Sequence, residues 1–176
     1  MQPSVYRIPL EGPGGLWIMP RPSGEWMTED IAAYRQMGMR KIVSLLTVDE
    51  AANLGLSDEA SCCAEQGLSF VNYPIPDRGM AENRAAFAML ARDIAAELMA
   101  GAAIGIHCRA GIGRSGMLAC CVLALSGLTA DDAIARVSRA RGVAVPDTDA
   151  QAHYIRGIAD MVRRAPGASS DGTIAC

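Results

Sequence analysis

Residues 107–116 read HCRAGIGRSG, and the fold of the chain is inferred outward from this stretch. It places Cys108 six positions before Arg114, with Gly111 and Gly113 between them. The short apolar run before it, residues 103–106, is typical of a buried parallel strand. The run after it, residues 117–125, is apolar on every side and predicts a central helix that is packed all round. The sequence therefore predicts a strand, a tight loop and a helix in direct succession.

This succession predicts a phosphate-binding site. The N–H groups of such a loop point inward, and the positive end of the helix dipole favours an anion there. Arg114 can hold two phosphate oxygens through its planar guanidinium, and the same positive field favours the reactive thiolate form of Cys108. We therefore predict that Cys108 attacks a phosphate held by the loop residues Arg109, Ala110, Gly111, Ile112, Gly113 and Arg114.

Length and composition exclude several classes of protein. The 176 residues fit one domain, and the net charge of −3 argues against a nucleic-acid partner. The first ten residues hold two prolines and an arginine, and no apolar run approaches the ~20 residues that span a bilayer. The six cysteines lack zinc-ligand spacing, and a nucleophilic thiol needs a reducing compartment. We expect a cytoplasmic monomer with no membrane contact.

The rest of the chain alternates between predicted strands and helices. Strands are predicted at 16–19, 41–46, 68–73 and 103–106, and helices near 29–37, 58–66, 81–99 and 117–125, from 130, and at 149–164. We predict an irregular lead-in over 1–15, one domain over 16–164 and a disordered tail over 165–176. The alternation predicts a single α/β domain with a central, mostly parallel sheet of four to five strands flanked by helices. The cysteine loop then lies at the carboxyl end of a strand, where such sheets place their sites.

Asp77 is the candidate proton donor. A phosphoryl-transfer nucleophile needs an acid to protonate the departing oxygen. Asp77 follows a predicted strand, in a loop that Pro74 and Pro76 stiffen and Gly79 ends. The alternative is an aspartate that only bonds to the backbone of its own turn. Arg78, beside it, is a further candidate for contact with anionic groups of a substrate.

The motif formed by His107, Cys108, Arg114 and Ser115 resembles the His-Cys-x5-Arg-Ser/Thr motif of the cysteine-dependent protein phosphatases. Over residues 15–164 the chain is most similar to the small dual-specificity type, in particular the cyclin-dependent-kinase-associated phosphatase subgroup. The closer similarity lies in the segments SLL at 44–46, PIPD at 74–77 and RGVAVPDT at 141–148.

This resemblance implies a role for each motif residue. Cys108 would form a phosphocysteine while Arg114 and the loop amides hold the phosphate, and Asp77, 31 positions before Cys108, would act as acid and then as base. Ser115 would help the thiol to leave, and His107 would steady the loop. The resemblance implies no metal or other cofactor.

Gln151 has two interpretations. Family members often carry a glutamine after the loop that orients water for the second step. Thr148 and Gln151 also have the spacing of a capping box at a helix start, which explains the glutamine without catalysis. We favour the structural interpretation here.

The basic residues near the site bear on the substrate. Lipid phosphatases with this motif tend to place lysines between the cysteine and the arginine, whereas here only Arg109 is basic. This favours a phosphorylated protein or peptide over a phosphoinositide or another small phosphomonoester. Arg21 is a weaker candidate for substrate contact, and Arg139 and Arg141 are expected to be solvated helix charges. A non-catalytic phosphate-binding module is the remaining alternative.

Two further pairs of residues have open roles. Cys62 and Cys63 precede the strand that leads to the acid, where several relatives keep a thiol that traps the oxidised nucleophile as a disulfide. We favour the alternative, in which both are small apolar residues buried against the sheet. Asp49 and Glu50 are interpreted either as the edge of the pocket or as solvated acids at a helix start.

Overall fold

A five-stranded sheet forms the centre of the computed structural model, which describes residues 3–164. Its strands are β1 (Tyr6–Ile8), β2 (Gly15–Pro20), β3 (Lys41–Ser44), β4 (Ser69–Asn72) and β5 (Ala103–Cys108), in the spatial order β1-β2-β5-β3-β4. Only β1 runs antiparallel to its neighbour, and the other pairs are parallel. The predicted α/β domain with a mostly parallel sheet is confirmed. The tail predicted over 165–176 lies outside the described residues.

Helices cover both faces of this sheet. They are α1 (Met27–Gln36), α2 (Val48–Asn53), α3 (Glu59–Glu65), α4 (Arg84–Met99), α5 (Arg114–Leu125), α6 (Ala130–Arg141) and α7 (Asp149–Arg164). Buried residues of α1 and α3 pack on one face, and those of α4 to α7 pack on the other. Within the described part of the chain, no helix is both long and apolar enough to cross a membrane.

The bounds of α6 follow from local chemistry. Thr129 precedes it and accepts a hydrogen bond from the Asp132 N–H at 3.1 Å, and two acids lie in the first turn, where the helix dipole favours them. Gly142 ends it at a φ of +78°, a left-handed conformation that glycine adopts without a steric penalty. The last helical residue, Arg141, is thereby placed at a defined point beside the cysteine loop.

Strand β5 sends alternate residues to opposite faces of the sheet, as the period of two requires. Ile104, Ile106 and Cys108 belong to the core under α4 to α7. A β-carbon on Gly105 would instead lie 2.8 Å from Met19 Cε, which belongs to the core under α1 and α3. Cys108 therefore faces the side of the sheet that α5 covers.

Two elements differ from the sequence prediction. The lead-in expected to be irregular over 1–15 contains β1, which is too short to show an alternating pattern and forms by pairing with β2. Helix α2 was not predicted, because its six residues include none that is buried and so carry no apolar stripe. Its only sequence signal is the spacing of Thr47 and Glu50, whose reciprocal capping bonds the structure shows.

Candidate active site

The cysteine loop joins the end of one strand to the start of one helix. Cys108 is the last residue of β5 and Arg114 the first of α5, so residues 109–113 form the turn between them. Gly111 has a φ of +70°, and a β-carbon there would overlap the backbone of Met19 and Pro20 at the end of β2. Only glycine fits this close approach of two backbone segments.

The thiol of Cys108 lies among buried groups at the base of a cavity of about 170 Å³. Its Sγ is 3.4 Å from the hydroxyl of Ser115, which is fully buried at the start of α5. Loop residues Arg109, Ala110, Ile112 and Gly113 line the same cavity. The structure thus brings the predicted nucleophile, its predicted hydroxyl partner and the loop together around one small cavity.

Arg114 is buried in spite of its charge, with 2% of its surface exposed. Nη1 donates to Glu50 Oε2 at 2.7 Å and to the Ile75 carbonyl at 2.8 Å. Nη2 donates to Glu50 Oε1 at 2.9 Å and to Asp77 Oδ1 at 2.9 Å. Burial opposes the charged guanidinium, but its hydrogen bonds to Glu50 and the nearby acidic groups outweigh burial and raise the pKa of Arg114. A phosphate in the cavity would compete with Asp77 for Nη2.

Glu50 is a site residue that the sequence analysis left undecided. It binds both terminal nitrogens of Arg114 and also completes the cap of α2 with Thr47. The hydrogen bond from Arg114 lowers the pKa of the Glu50 carboxyl. Asp49, weighed with it, is exposed and has no ion-pair partner among residues 3–164. Of this pair, Glu50 therefore orients the guanidinium.

Asp77 lies at the mouth of the cavity with about half of its side chain exposed. Its carboxylate accepts a hydrogen bond from the N–H of Arg78 at 3.1 Å as well as from Arg114. Asp77 thus bonds to its own turn, as the structural interpretation predicts, and it also lines the cavity that contains Cys108, as a proton donor must. Arg78 has a φ of +55°, and its Nε lies 3.7 Å from Asp147 Oδ2 at the same mouth.

His107 points to the opposite face of the sheet from Cys108. Its Nε2 lies 2.9 Å from Glu59 Oε1 of α3, and both side chains are buried. The two atoms are close without the alignment of a hydrogen bond. His107 therefore anchors the end of β5 to α3 and does not reach the cavity.

Gln151 bridges the cysteine loop and the acid loop. Its backbone N–H bonds to Thr148 Oγ1 at 3.2 Å, so the predicted cap exists. Its side chain does not complete the capping box but donates from Nε2 to the Gly79 carbonyl at 3.0 Å. Oε1 is buried with no hydrogen-bond partner in residues 3–164, and a β-carbon on Gly113 would lie 3.1 Å from it. The structure thus shows the predicted cap and also places the side-chain amide beside the cysteine loop.

A larger groove of about 880 Å³ adjoins the small cavity, and Arg109 lines both. Pro20, Trp26 and Tyr34 supply apolar surface in this groove, and Arg21 supplies a second cation. The Arg21 guanidinium donates to the carbonyl of its neighbour Pro22, and in the described chain neither arginine forms an ion pair. The carboxylates of Glu29 and Asp30 also line the groove, so it carries charges of both signs.

Arg141 contacts the cysteine loop, so the expectation of a merely solvated charge is wrong. Its Nε donates to the Gly111 carbonyl at 2.9 Å and its Nη2 to the Ala110 carbonyl at 3.1 Å. Neither contact has a local sequence signal, because the partners lie 30 and 31 residues apart along the chain.

Cys62 and Cys63 lie in the core under α1 and α3, whereas Cys108 belongs to the core on the other face. Burial raises the pKa of the Cys63 thiol to about 12, with nearby Glu59 adding to the effect. The Sγ of Cys62 is 3.7 Å from Thr28 Oγ1. Because the sheet separates these thiols from Cys108, the structure favours the interpretation of both as buried apolar residues.

Metal-ligating side chains are not clustered in the part of the chain that the structure describes. Within residues 3–164, no group of three or more His, Cys, Asp or Glu side chains is placed to hold an ion.

Replacing Glu50 by alanine should lower the free energy of unfolding by about 3 kcal/mol, because it leaves a buried charge short of its main partner. Urea unfolding measures this loss, and Asp49→Ala, in the same first turn of α2, is the matched control. Since folding lowers the pKa of Glu50, its contribution is present above its ordinary value of 4.5 and is lost as pH falls through the folded-state value. Equal losses in the two variants would contradict the role given to Glu50.

The fold of the chain matches those of known phosphatases. Kinase associated phosphatase, solved with a serine in place of its catalytic site cysteine, superposes with a TM-score of 0.84 at 19% identity, covering 94% of this chain and 99% of that one. Tk-PTP in its active form gives 0.67 at 24% identity, covering 88% and 97%. PTPMT1 in complex with PI(5)P gives 0.68 at 13% identity, covering 84% and 92%. These similarities establish the fold.

The family follows from the sequence itself. No curated protein matches the chain. Residues 12–161 match a family model described as "PTP-SAK: Swiss Army Knife protein, DSP-PTPase phosphatase domain", and this range covers β2 to β5, the cysteine loop and most of α7. The chain therefore belongs to the DSP-PTPase family of cysteine-dependent phosphatases.

Proposed function

We propose that this phosphatase hydrolyses phosphotyrosine, and also phosphoserine and phosphothreonine, in proteins or peptides through a phosphocysteine intermediate. The observation that supports this most directly is the convergence of Cys108, Arg114 and Asp77 on one small cavity at the carboxyl edge of the sheet. Each supplies a different part of phosphoryl transfer, namely a nucleophile, a cation for the phosphate oxygens and a proton donor.

In the first step the Cys108 thiolate attacks phosphorus and forms an S–P bond while the P–O bond to the leaving group breaks. Arg114 and the N–H groups of the loop hold the three remaining oxygens, where negative charge is concentrated. Asp77, in its protonated form, passes its proton to the departing oxygen. This requires Asp77 to leave Nη2 of Arg114, which the phosphate oxygens then occupy.

In the second step water attacks the phosphorus of the phosphocysteine and the S–P bond breaks. Asp77, now a carboxylate, takes a proton from the water, and Ser115 donates a hydrogen bond to the leaving sulfur 3.4 Å away. Gln151 orients the water, a role supported by its buried, unpartnered Oε1 beside Gly113. In this proposal His107 supports the loop from the face of the sheet opposite to Cys108 and transfers no proton.

The groove beside the loop supports a polypeptide substrate. Residues on either side of a phosphorylated side chain need a surface next to the cavity, and the groove provides one that begins at Arg109. Arg21 and Arg109 form no ion pair among residues 3–164 and can contact an acidic residue near the phosphorylated one. Glu29 and Asp30 also line the groove, so this contact is expected only close to the two arginines. One neighbour in the fold, PTPMT1, binds PI(5)P, but nothing in this groove favours an inositol lipid over a peptide.

The remaining expectations concern location and assembly. We propose a cytoplasmic site of action, because Cys108 must stay reduced to act as a nucleophile. A monomer that acts without metal, nucleic acid or membrane remains a prediction from the sequence.

Replacing Cys108 by serine should abolish turnover of an aryl phosphate but preserve vanadate binding, because Arg114 and the loop amides remain. The loss of turnover is measured as steady-state hydrolysis in the presence of a chelator. The retention of vanadate binding is measured by calorimetry. Cys62→Ser is the matched control, since it makes the same exchange at a buried thiol on the other face of the sheet. Sustained hydrolysis by Cys108→Ser would refute the covalent mechanism, and a wild-type protein that binds vanadate without turnover would identify a binding module.

Asp77→Asn should reduce turnover most for alkyl phosphates, whose leaving oxygens need a proton, and least for aryl phosphates with acidic phenols. The basic limb of the pH–rate profile should be absent in this variant, because the carboxyl group of Asp77 that gives rise to it has been removed. Asp147→Asn removes another carboxylate from the same cavity and should not change the dependence on the leaving group. An unaltered basic limb in Asp77→Asn would assign the acid to another residue.

Arg21→Ala should lower kcat/KM about two- to fivefold for phosphopeptides with an acidic flanking residue, as expected for one solvent-exposed ion pair. The same variant should show no selective loss on the matched neutral phosphopeptide. Arg40→Ala is the control, because Arg40 is an exposed arginine that donates only to nearby carbonyls. Equal losses of kcat/KM on the acidic and neutral peptides would show that Arg21 does not recognise an acidic flanking residue.

A further inference from the structure

Arg141 holds two successive carbonyls of the cysteine loop from outside the cavity. Its planar guanidinium donates from Nε to Gly111 and from Nη2 to Ala110. We propose that Arg141, held in place by Tyr6, is a positioning residue that sets the direction of two of the loop amides that bind phosphate.

The direction follows from the geometry of the peptide bond. In a trans peptide the C=O and the N–H point to opposite sides, and the only cis bond in the described chain is Val145–Pro146. When Arg141 draws the Ala110 carbonyl outward, the N–H of Gly111 faces the other way. The bond to the Gly111 carbonyl does the same for the N–H of Ile112. Ala110 and Ile112, on either side of Gly111, both line the cavity. In the proposed arrangement the N–H groups of Gly111 and Ile112 therefore face the phosphate position.

Gly111 explains why the loop needs such a support. The close backbone of Met19 excludes any β-carbon at this position, so the residue must be glycine. Glycine also has the greatest backbone freedom, and a loop with glycine at its turn can rotate a carbonyl toward the cavity. A carbonyl turned inward would repel the phosphate oxygens. Arg141 removes this freedom by bonding to the carbonyls on both sides of the Gly111 Cα.

Tyr6 fixes the plane of the guanidinium. The Cζ of Arg141 lies 4.0 Å from the centroid of the Tyr6 ring, a distance at which a cation and an aromatic face attract. Tyr6 is the first residue of β1 and pairs with Ile18 of β2. A stacked arginine keeps its two donors in one orientation, which a lysine cannot reproduce. Strand β1 thus connects the edge of the sheet to the phosphate loop through one side-chain pair.

This inference rests on the proposed function, because it assumes that the loop binds a phosphate. Donors that are already oriented contribute most to catalysis, since they need no rearrangement when charge develops. Loss of Arg141 should therefore weaken the binding of a phosphate analogue and also lower kcat, rather than raise KM alone.

The test measures vanadate affinity by calorimetry, together with kcat and KM for an aryl phosphate, in single variants. Arg141→Ala should weaken vanadate binding about tenfold or more, given what the loss of one oxyanion donor costs. The vanadate affinity of Arg141→Lys should lie between those of Arg141→Ala and the wild type. Tyr6→Ala should lose less affinity than Arg141→Ala, and Tyr6→Phe should bind vanadate as tightly as the wild type. Arg139→Ala is the matched control, since it removes an arginine from the same turn of α6 that bonds only within its own helix.

Each outcome decides the question. If Arg141→Ala weakens vanadate binding no more than Arg139→Ala does, the positioning role is overturned while the proposed function stands. If the wild type binds no vanadate, the proposed function fails first, and this inference with it. Should Arg141→Ala lack a cooperative unfolding transition, Tyr6→Ala and Tyr6→Phe decide, and equal vanadate affinity in these two would overturn the role of the stacked pair.

Discussion

The buried charge of Arg114 is the constraint on which the carboxyl edge of the sheet depends. A guanidinium that is almost fully removed from water must be paired, since an uncompensated buried charge costs several kcal/mol. Its partners come from the segments that follow β3 and β4, namely Glu50 on α2 and the stretch from Ile75 to Asp77. One side chain therefore ties two separate segments to the start of α5. The second of these segments also supplies Asp77 and Arg78 to the cavity that contains Cys108.

The cysteine loop is shaped by contacts on both of its sides. On one side the backbone at the end of β2 comes so close that Gly111 admits no side chain. On the other side Arg141 bonds to two loop carbonyls, and Gln151 packs its amide against Gly113. An anion-binding loop has few side chains of its own with which to hold its shape. Its neighbours in the fold must therefore supply its rigidity.

The sheet separates the reactive side chains near the cysteine loop, because they lie on its two opposite faces. Cys108 faces the core that α4 to α7 cover, whereas His107 lies among α1 and α3 with Glu59 and Cys63. This separation follows from the alternation of a single strand, β5. It leaves the nucleophile beside the helix N-terminus and the cavity, and it keeps the thiols of Cys62 and Cys63 on the opposite face of the sheet. His107 and Cys108, which are neighbours in one motif, therefore lie on opposite faces of the sheet.

The sequence by itself determined the α/β class, the cysteine loop, the candidate acid Asp77 and most helices, because each depends on local spacing, periodicity or capping. It did not reveal β1 or the roles of Glu50 and Arg141, and it favoured only the capping role of Gln151. Those features depend on partners far apart in the chain, such as Glu50 and Arg114, which are separated by 64 residues. Only the tertiary structure decided them, because a hydrogen bond between distant residues leaves no periodic pattern along the chain.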